Sequence, residues 1–256
     1  MGPPDGPDAL SPAHTIYCMG KRRRSGNRVW AIGGVALFAA GVVTLAAMAL
    51  RQGRDEASSE AGSVPSLPES SPTAIAEPIR VAAVGDSITA ANSRDFARGD
   101  LGDGSWLSYV IGDGVVFSGG WALGGVQTRS MVENVTPYPD TDVLVLLAGV
   151  NDYGNDVPFS TTAANYDAIV KTVAPSRVLI STVPPRDEDP DASRAYNEDL
   201  EELASMRGWS FVDAASGTED VDGTYIEGFT SDGTHPTAAA AKVMGEAVRE
   251  AVLARP

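Results

Sequence analysis

Apolar and polar positions follow three patterns along this chain. Val29 to Leu50 is a run of 22 residues without a charge. As a helix rising ~1.5 Å per residue it would reach ~33 Å, enough for a bilayer core. Residues 51–78 (RQGRDEASSEAGSVPSLPESSPTAIAEP) have no apolar period and are rich in Ser, Pro, Ala and Glu. That composition reads as a disordered tether. From Ile79 the texture changes to short apolar runs alternating with longer amphipathic ones. Strands are expected at Ile79–Val84, Val115–Ser118, Asp142–Ala148, Arg177–Val183 and Ser210–Ala214. Helices are expected at Trp106–Ile111, Thr161–Val173, Ala192–Met206 and Thr237–Leu253. Strand alternating with helix implies right-handed crossovers and a parallel sheet of about five strands between helix layers, an α/β fold. The run DVLVLLA (142–148) is nearly continuous in apolar character, as suits a strand covered on both faces.

Charge orients this layout. Arg22, Arg23, Arg24 and Arg28 precede the uncharged run, and the positive-inside rule puts that side in the cytoplasm. The division expected is a cytoplasmic basic segment (1–28), a transmembrane signal anchor (29–50), a linker (51–78) and a domain outside the cytoplasm (79–256). A cleaved signal peptide, with Ala47 and Ala49 as small residues near a cut site, is the alternative. It would release the domain as a secreted protein, but the run exceeds an ordinary signal core of ~7–15 residues. Residues 1–54 carry a net charge of +5 and residues 55–256 a net charge of −20. So acidic a body is repelled by nucleic acid and by anionic bilayers. Neutral or cationic partners are expected, no nucleic acid, and membrane contact through the N-terminal helix alone. The lone cysteine, Cys18, excludes an intrachain disulfide framework. Of two histidines, His14 and His235, only the second belongs to the acidic body.

In a parallel sheet, ligands bind beyond the carboxyl ends of the strands. There the sequence puts Gly85-Asp86-Ser87-Ile88-Thr89, then Gly124-Gly125-Val126-Gln127-Thr128, then Gly149-Val150-Asn151-Asp152. Asp232-Gly233-Thr234-His235 stands just before the last helix. A hydroxyl, a glycine turn, a side-chain amide and an Asp/His pair are the parts of acyl transfer. The Ser87 hydroxyl needs an imidazole to accept its proton. Asp232, three residues before His235, can hold the ring in one tautomer. Backbone N–H groups of Ser87 and Gly125 and the Asn151 amide could receive an oxyanion.

These blocks resemble the SGNH/GDSL hydrolase family, the GDSL esterases and lipases, over residues 79–254. GDSIT (85–89), GGVQT (124–128), GVND (149–152) and DGTH (232–235) stand in the family's order. The resemblance implies a flavodoxin-like α/β/α sandwich and a serine esterase without metal or organic cofactor. Ser87 would be the nucleophile, His235 the base and Asp232 its orienting acid. Ser87, Gly125 and Asn151 would be the oxyanion donors, Gly124 being the alternative to Gly125. Two positions depart from the family pattern. Ile88 replaces leucine, and Gly120 stands where many members carry an asparagine.

A small or glycan-linked ester is the expected substrate. Alternatives are a deacetylase or acyltransferase acting on cell-envelope glycans, and a binding module on the same fold. Asp86, next to Ser87, is expected to be structural, because neighbours on an extended chain face opposite ways. Asp152 and Asp213 are weaker candidates for the acid. Trp106, Trp121 and Tyr153 fit either a pocket wall or the core. The acidic stretch 187–191 reads as a solvated loop or as an overhang of the site. Glu219-Asp220-Val221-Asp222-Gly223 lacks full calcium-loop spacing and reads as a solvated turn. Loops 90–104 and 186–194 are expected to decide acyl length and alcohol partner.

Overall fold

The computed structural model describes residues 77–254. The expected segments 1–28 and 29–50, and the linker up to residue 76, lie outside the described residues. Among the described residues no helix is long and apolar enough to cross a membrane.

Five strands form one parallel sheet: β1 (Ile79–Gly85), β2 (Val115–Ala122), β3 (Val143–Leu147), β4 (Arg177–Ser181) and β5 (Ser210–Val212), in the order β2-β1-β3-β4-β5. Every residue of β3 is buried, as its unbroken apolar run requires. The helices are α1 (Ser87–Ala90), α2 (Leu107–Val110), α3 (Thr128–Asn134), α4 (Val150–Tyr153), α5 (Phe159–Val173), α6 (Pro190–Arg207) and α7 (Ala238–Leu253). Helix α2 packs on α7, α3 on α5, and α5 on α6. The chain steps from β1 to one edge and returns to β3, so right-handed crossovers send α2 and α7 to one face and α3, α5 and α6 to the other. The direction reverses between β1 and β3, which makes a crevice at their carboxyl ends.

Strand β2 runs past Ser118, where the expectation ended it. The β1–β2 register skips one residue between Phe117 and Gly119, and this bulge lets the strand continue through two glycines. Gly119 has φ +149°, and a Cβ there would press into the Tyr138 ring. A Cβ on Gly120 would strike the Ala83 carbonyl oxygen. No side chain fits at position 120, so the asparagine of the family pattern has no room here.

The two long middle helices begin earlier than the apolar period suggests. Asp189 caps α6 by accepting the Ala192 N–H at 3.1 Å, and Pro190 occupies its first turn, where a missing N–H costs nothing. Helix α7 is closed by a side chain from the sheet. Arg177 donates to the carbonyls of Ala251, Val252 and Ala254, satisfying the last turn and meeting the negative end of the helix dipole.

Candidate active site

Ser87 sits where β1 turns into α1. Gly85 makes that turn possible, since a Cβ there would collide with Thr89 and with the Leu147 carbonyl on β3. Asp86 caps α1 by accepting the Ile88 N–H at 3.1 Å. Ser87 is then the first helical residue, half-buried, and its N–H donates to no acceptor among the described residues.

His235 arrives from the other end of the domain. Its Nε2 lies 3.0 Å from Ser87 Oγ, and its Nδ1 lies 2.8 Å from Asp232 Oδ2. The other Asp232 oxygen, Oδ1, accepts the backbone N–H groups of His235 at 2.8 Å and Thr234 at 3.0 Å. These bonds, the His235 N–H and imidazole foremost, hold the Asp232 carboxyl well below the ordinary aspartate range. Asp232 and His235 are each about half exposed, so the pair faces solvent and can be reached.

The turn carrying this pair is fastened by Thr230 and Tyr225, which the sequence did not single out, and by Asp187, the first residue of the acidic stretch. Thr230 Oγ1 donates to the His235 carbonyl at 2.9 Å and accepts the Gly233 N–H at 3.0 Å. Tyr225 Oη donates to the Thr234 carbonyl at 3.1 Å. Asp187 donates its N–H to the Gly233 carbonyl at 2.8 Å and accepts the Tyr225 N–H at 2.8 Å. Gly233 turns with φ +76°, beside the Asp187 side chain. The acidic stretch 187–191 therefore braces the site through its first residue. Asp189 caps α6, while Glu188 and Asp191 pair with arginines.

The glycine turn and Asn151 complete the group. Gly124 comes within contact of Ser87, where a Cβ would lie 3.8 Å from the Ser87 Cβ. Gly125 follows with φ +74° and open space around it, and its N–H finds no acceptor among the described residues. Asn151 is the second residue of α4 and donates one amide hydrogen to the Val126 carbonyl at 2.9 Å. The second hydrogen is left for a ligand. The expected residues Ser87, Gly125, Asn151, Asp232 and His235 are thus gathered at one crevice.

The remaining acids are spent elsewhere. Asp86 is fully buried, as its expected structural role requires, and accepts the Gly149 N–H at 3.2 Å. Burial pushes its carboxyl up to about 6 against the lowering effect of its two N–H donors. Asp152 is buried under α3, where Oδ2 accepts the Thr128 N–H and Oδ1 the hydroxyls of Thr128 and Thr162. Asp213 accepts from Thr182 and Ser216. Asp222 closes its own turn with Thr224. Trp106 belongs to the core, its indole donating to Thr89 Oγ1 at 3.0 Å. Trp121 and Tyr153 are partly buried and pack against the core.

A cleft of about 350 Å³ opens beside the Ser87–His235 pair, walled by Ile88, Ala91, Gly104 and Pro236. Ile88 belongs to the GDSIT block, and Ala91 and Gly104 lie on the loop 90–104. Neither Ala91 nor Gly104 has a reactive side chain to mark it.

Comparison with known proteins bears on this geometry. The model of the GDSL-like lipase/acylhydrolase family matches residues 83–243. No curated protein matches. Among solved structures the chain is similar to Axe2, an acetylxylan esterase from Geobacillus stearothermophilus, with 19% identity, coverage of 71% of this chain and 97% of that one, and a TM-score of 0.56. It is also similar to a GDSL-like lipase from Bacteroides thetaiotaomicron, with 19% identity, 70% and 92% coverage and a TM-score of 0.51. A lipolytic protein of the G-D-S-L family from Veillonella parvula gives 18% identity, 67% and 97% coverage and a TM-score of 0.52.

Proposed function

The chain belongs to the GDSL-like lipase/acylhydrolase family and is a serine ester hydrolase; from that premise we propose that Ser87 is its nucleophile, His235 its general base and Asp232 the group that orients the imidazole. Ser87 Oγ attacks the ester carbonyl carbon while its proton passes to His235 Nε2. The carbonyl oxygen becomes an oxyanion and accepts hydrogen bonds from the Ser87 and Gly125 N–H groups and from Asn151 Nδ2. The carbon–oxygen bond to the alcohol then breaks, and His235 returns the proton to the departing oxygen. Water, deprotonated by the same imidazole, attacks the acyl-enzyme, and Ser87 leaves with the proton as the free acid is released.

The observation that carries this reading is the unbroken line from Asp232 Oδ2 through the imidazole to Ser87 Oγ, 2.8 Å and 3.0 Å long. It is tested by release of p-nitrophenol from p-nitrophenyl acetate. Ser87→Ala is expected to lower kcat at least ~10³-fold with the thermal midpoint little changed. Equal rates in the two proteins would remove the assignment.

Removal of acetyl groups from a glycan is a second reading, favoured by the acetylxylan esterase among the similar structures. Product analysis on acetylated saccharides, with and without a sugar acceptor, separates hydrolysis from transfer. We further propose that residues 29–50 anchor the domain outside the cytoplasmic membrane. The support is the uncharged run with Arg22, Arg23, Arg24 and Arg28 before it. Protease added to intact cells should digest the domain, and a soluble, shortened product would instead favour a cleaved signal.

A further inference from the structure

We propose that the cleft beside Ser87 is the acyl subsite, and that it selects short acyl groups. This rests on Ser87 being the nucleophile. The cleft touches the reacting pair directly, with Ile88, Ala91, Gly104 and Pro236 as its walls. Asn92, the other polar side chain on its rim, is partly engaged within the protein. Its Nδ2 donates to Asp103 Oδ1 at 2.7 Å, and its Oδ1 accepts the Gly104 N–H at 2.9 Å. Apart from Ser87, His235 and Asn92, the cleft is walled by apolar groups.

The order of the chemistry decides which half of the ester belongs there. The alcohol must leave, and a water must take its place within reach of His235 Nε2. The alcohol side has to be wet. The acyl group stays bonded to Ser87 through the whole intermediate and gains most from an apolar bed beside that residue. The loop after β4 carries a separate hollow, lined by Tyr153, Arg186 and Glu188, that is polar. The mainly apolar cleft that touches Ser87 and His235 is the surface that suits the acyl chain.

Size follows from two small residues that face each other. A Cβ added to Gly104 would lie 3.4 Å from the Ala91 Cβ and 3.0 Å from Asn92 Oδ1, so a methyl group at either position occupies chain space. About 350 Å³ is at the small end of ligand pockets, which favours a short chain over a lipid tail.

The test uses wild type, Gly104→Ala and Ala91→Gly with two ester series. In one, p-nitrophenyl acetate, butyrate and octanoate vary the acyl group. In the other, the acetates of ethanol, butanol and octanol vary the alcohol. Wild type should prefer butyrate to octanoate. Gly104→Ala should lower the butyrate-to-acetate ratio of kcat/KM about tenfold. Ala91→Gly should raise the octanoate-to-acetate ratio. Ala91 has φ +42°, so glycine relieves strain there and this variant folds even where the other does not. Ratios within the alcohol series should stay constant. A shift confined to the alcohol series would assign the cleft to the leaving group and overturn the proposal, as would acyl ratios unmoved in both variants. Failure of the parent reading looks different: Ser87→Ala would then keep its activity on every ester.

Discussion

Asp86 Oδ2 accepts the Gly149 N–H at 3.2 Å while Oδ1 accepts the Ile88 N–H at 3.1 Å, so one buried carboxylate ties the Ser87 turn to the loop that presents Asn151. Burial raises this carboxyl from 3.8 to about 6, and the folded state therefore binds the proton more tightly than the unfolded one. The resulting stability is fully present below pH 3.8 and is lost as pH rises through about 6. Asp86→Asn removes that titration. Between pH 4 and pH 7 the stability of wild type relative to the variant should fall by up to about 3 kcal/mol, as measured by urea unfolding at several pH values. A difference independent of pH would show that Asp86 does not titrate in this window.

Asp232→Asn keeps the size of the side chain but replaces the acceptor facing His235 Nδ1. The imidazole loses its fixed tautomer, and kcat should fall ~10²–10⁴-fold with KM within a few-fold. Steady-state kinetics on p-nitrophenyl acetate measures both constants. A loss below fivefold would mean that the 2.8 Å contact orients nothing needed for turnover.

Asn151→Ala removes the proposed oxyanion donor together with the bond to the Val126 carbonyl. The expected loss is ~10²–10³-fold in kcat. Inhibition by a tetrahedral phosphonate analogue should weaken in parallel, because it reports the same negative oxygen. Weaker substrate binding at constant kcat would instead make Asn151 a ground-state contact.

Gly120→Ala puts a Cβ against the Ala83 carbonyl inside the β1–β2 ladder. It should destabilise the protein by about 2–3 kcal/mol, the cost of overpacking. Gly112→Ala meets nothing within 4 Å and pays only for its positive φ, about 1 kcal/mol. Chemical unfolding of the two variants gives the order, and the reverse order would contradict the close approach at Gly120.

The long elements are legible in the sequence because they have enough residues to show a period, and the short α2 and β5 are legible from their apolar residues alone. The apolar run of β3 and the repeats of α5, α6 and α7 are of the first kind. Helices α1, α3 and α4 have four to seven residues, too few for a 3.6-residue repeat. The end of β2 was hidden because Gly119-Gly120 reads as a turn, whereas a bulge and the nearness of β1 and Tyr138 demand glycine in mid-strand. At the site, Asp232 and His235 stand out because both contacts between them are local. The supports from Thr230 and Tyr225 carry no motif that announces them, and the bond of Asp187 to Tyr225 is tertiary, joining residues 38 apart.

The Asp232–His235 turn and Ser87 are 148 residues apart in the chain. That turn is fastened to Asp187, Tyr225 and Thr230, while the hydroxyl is carried by the central sheet. Imidazole and hydroxyl are thus held by separate supports. A partial loosening at the domain's rim separates them while the interior remains intact. On warming, catalysis should fade before the far-ultraviolet signal of the helices does, and cooling should restore it without any refolding phase.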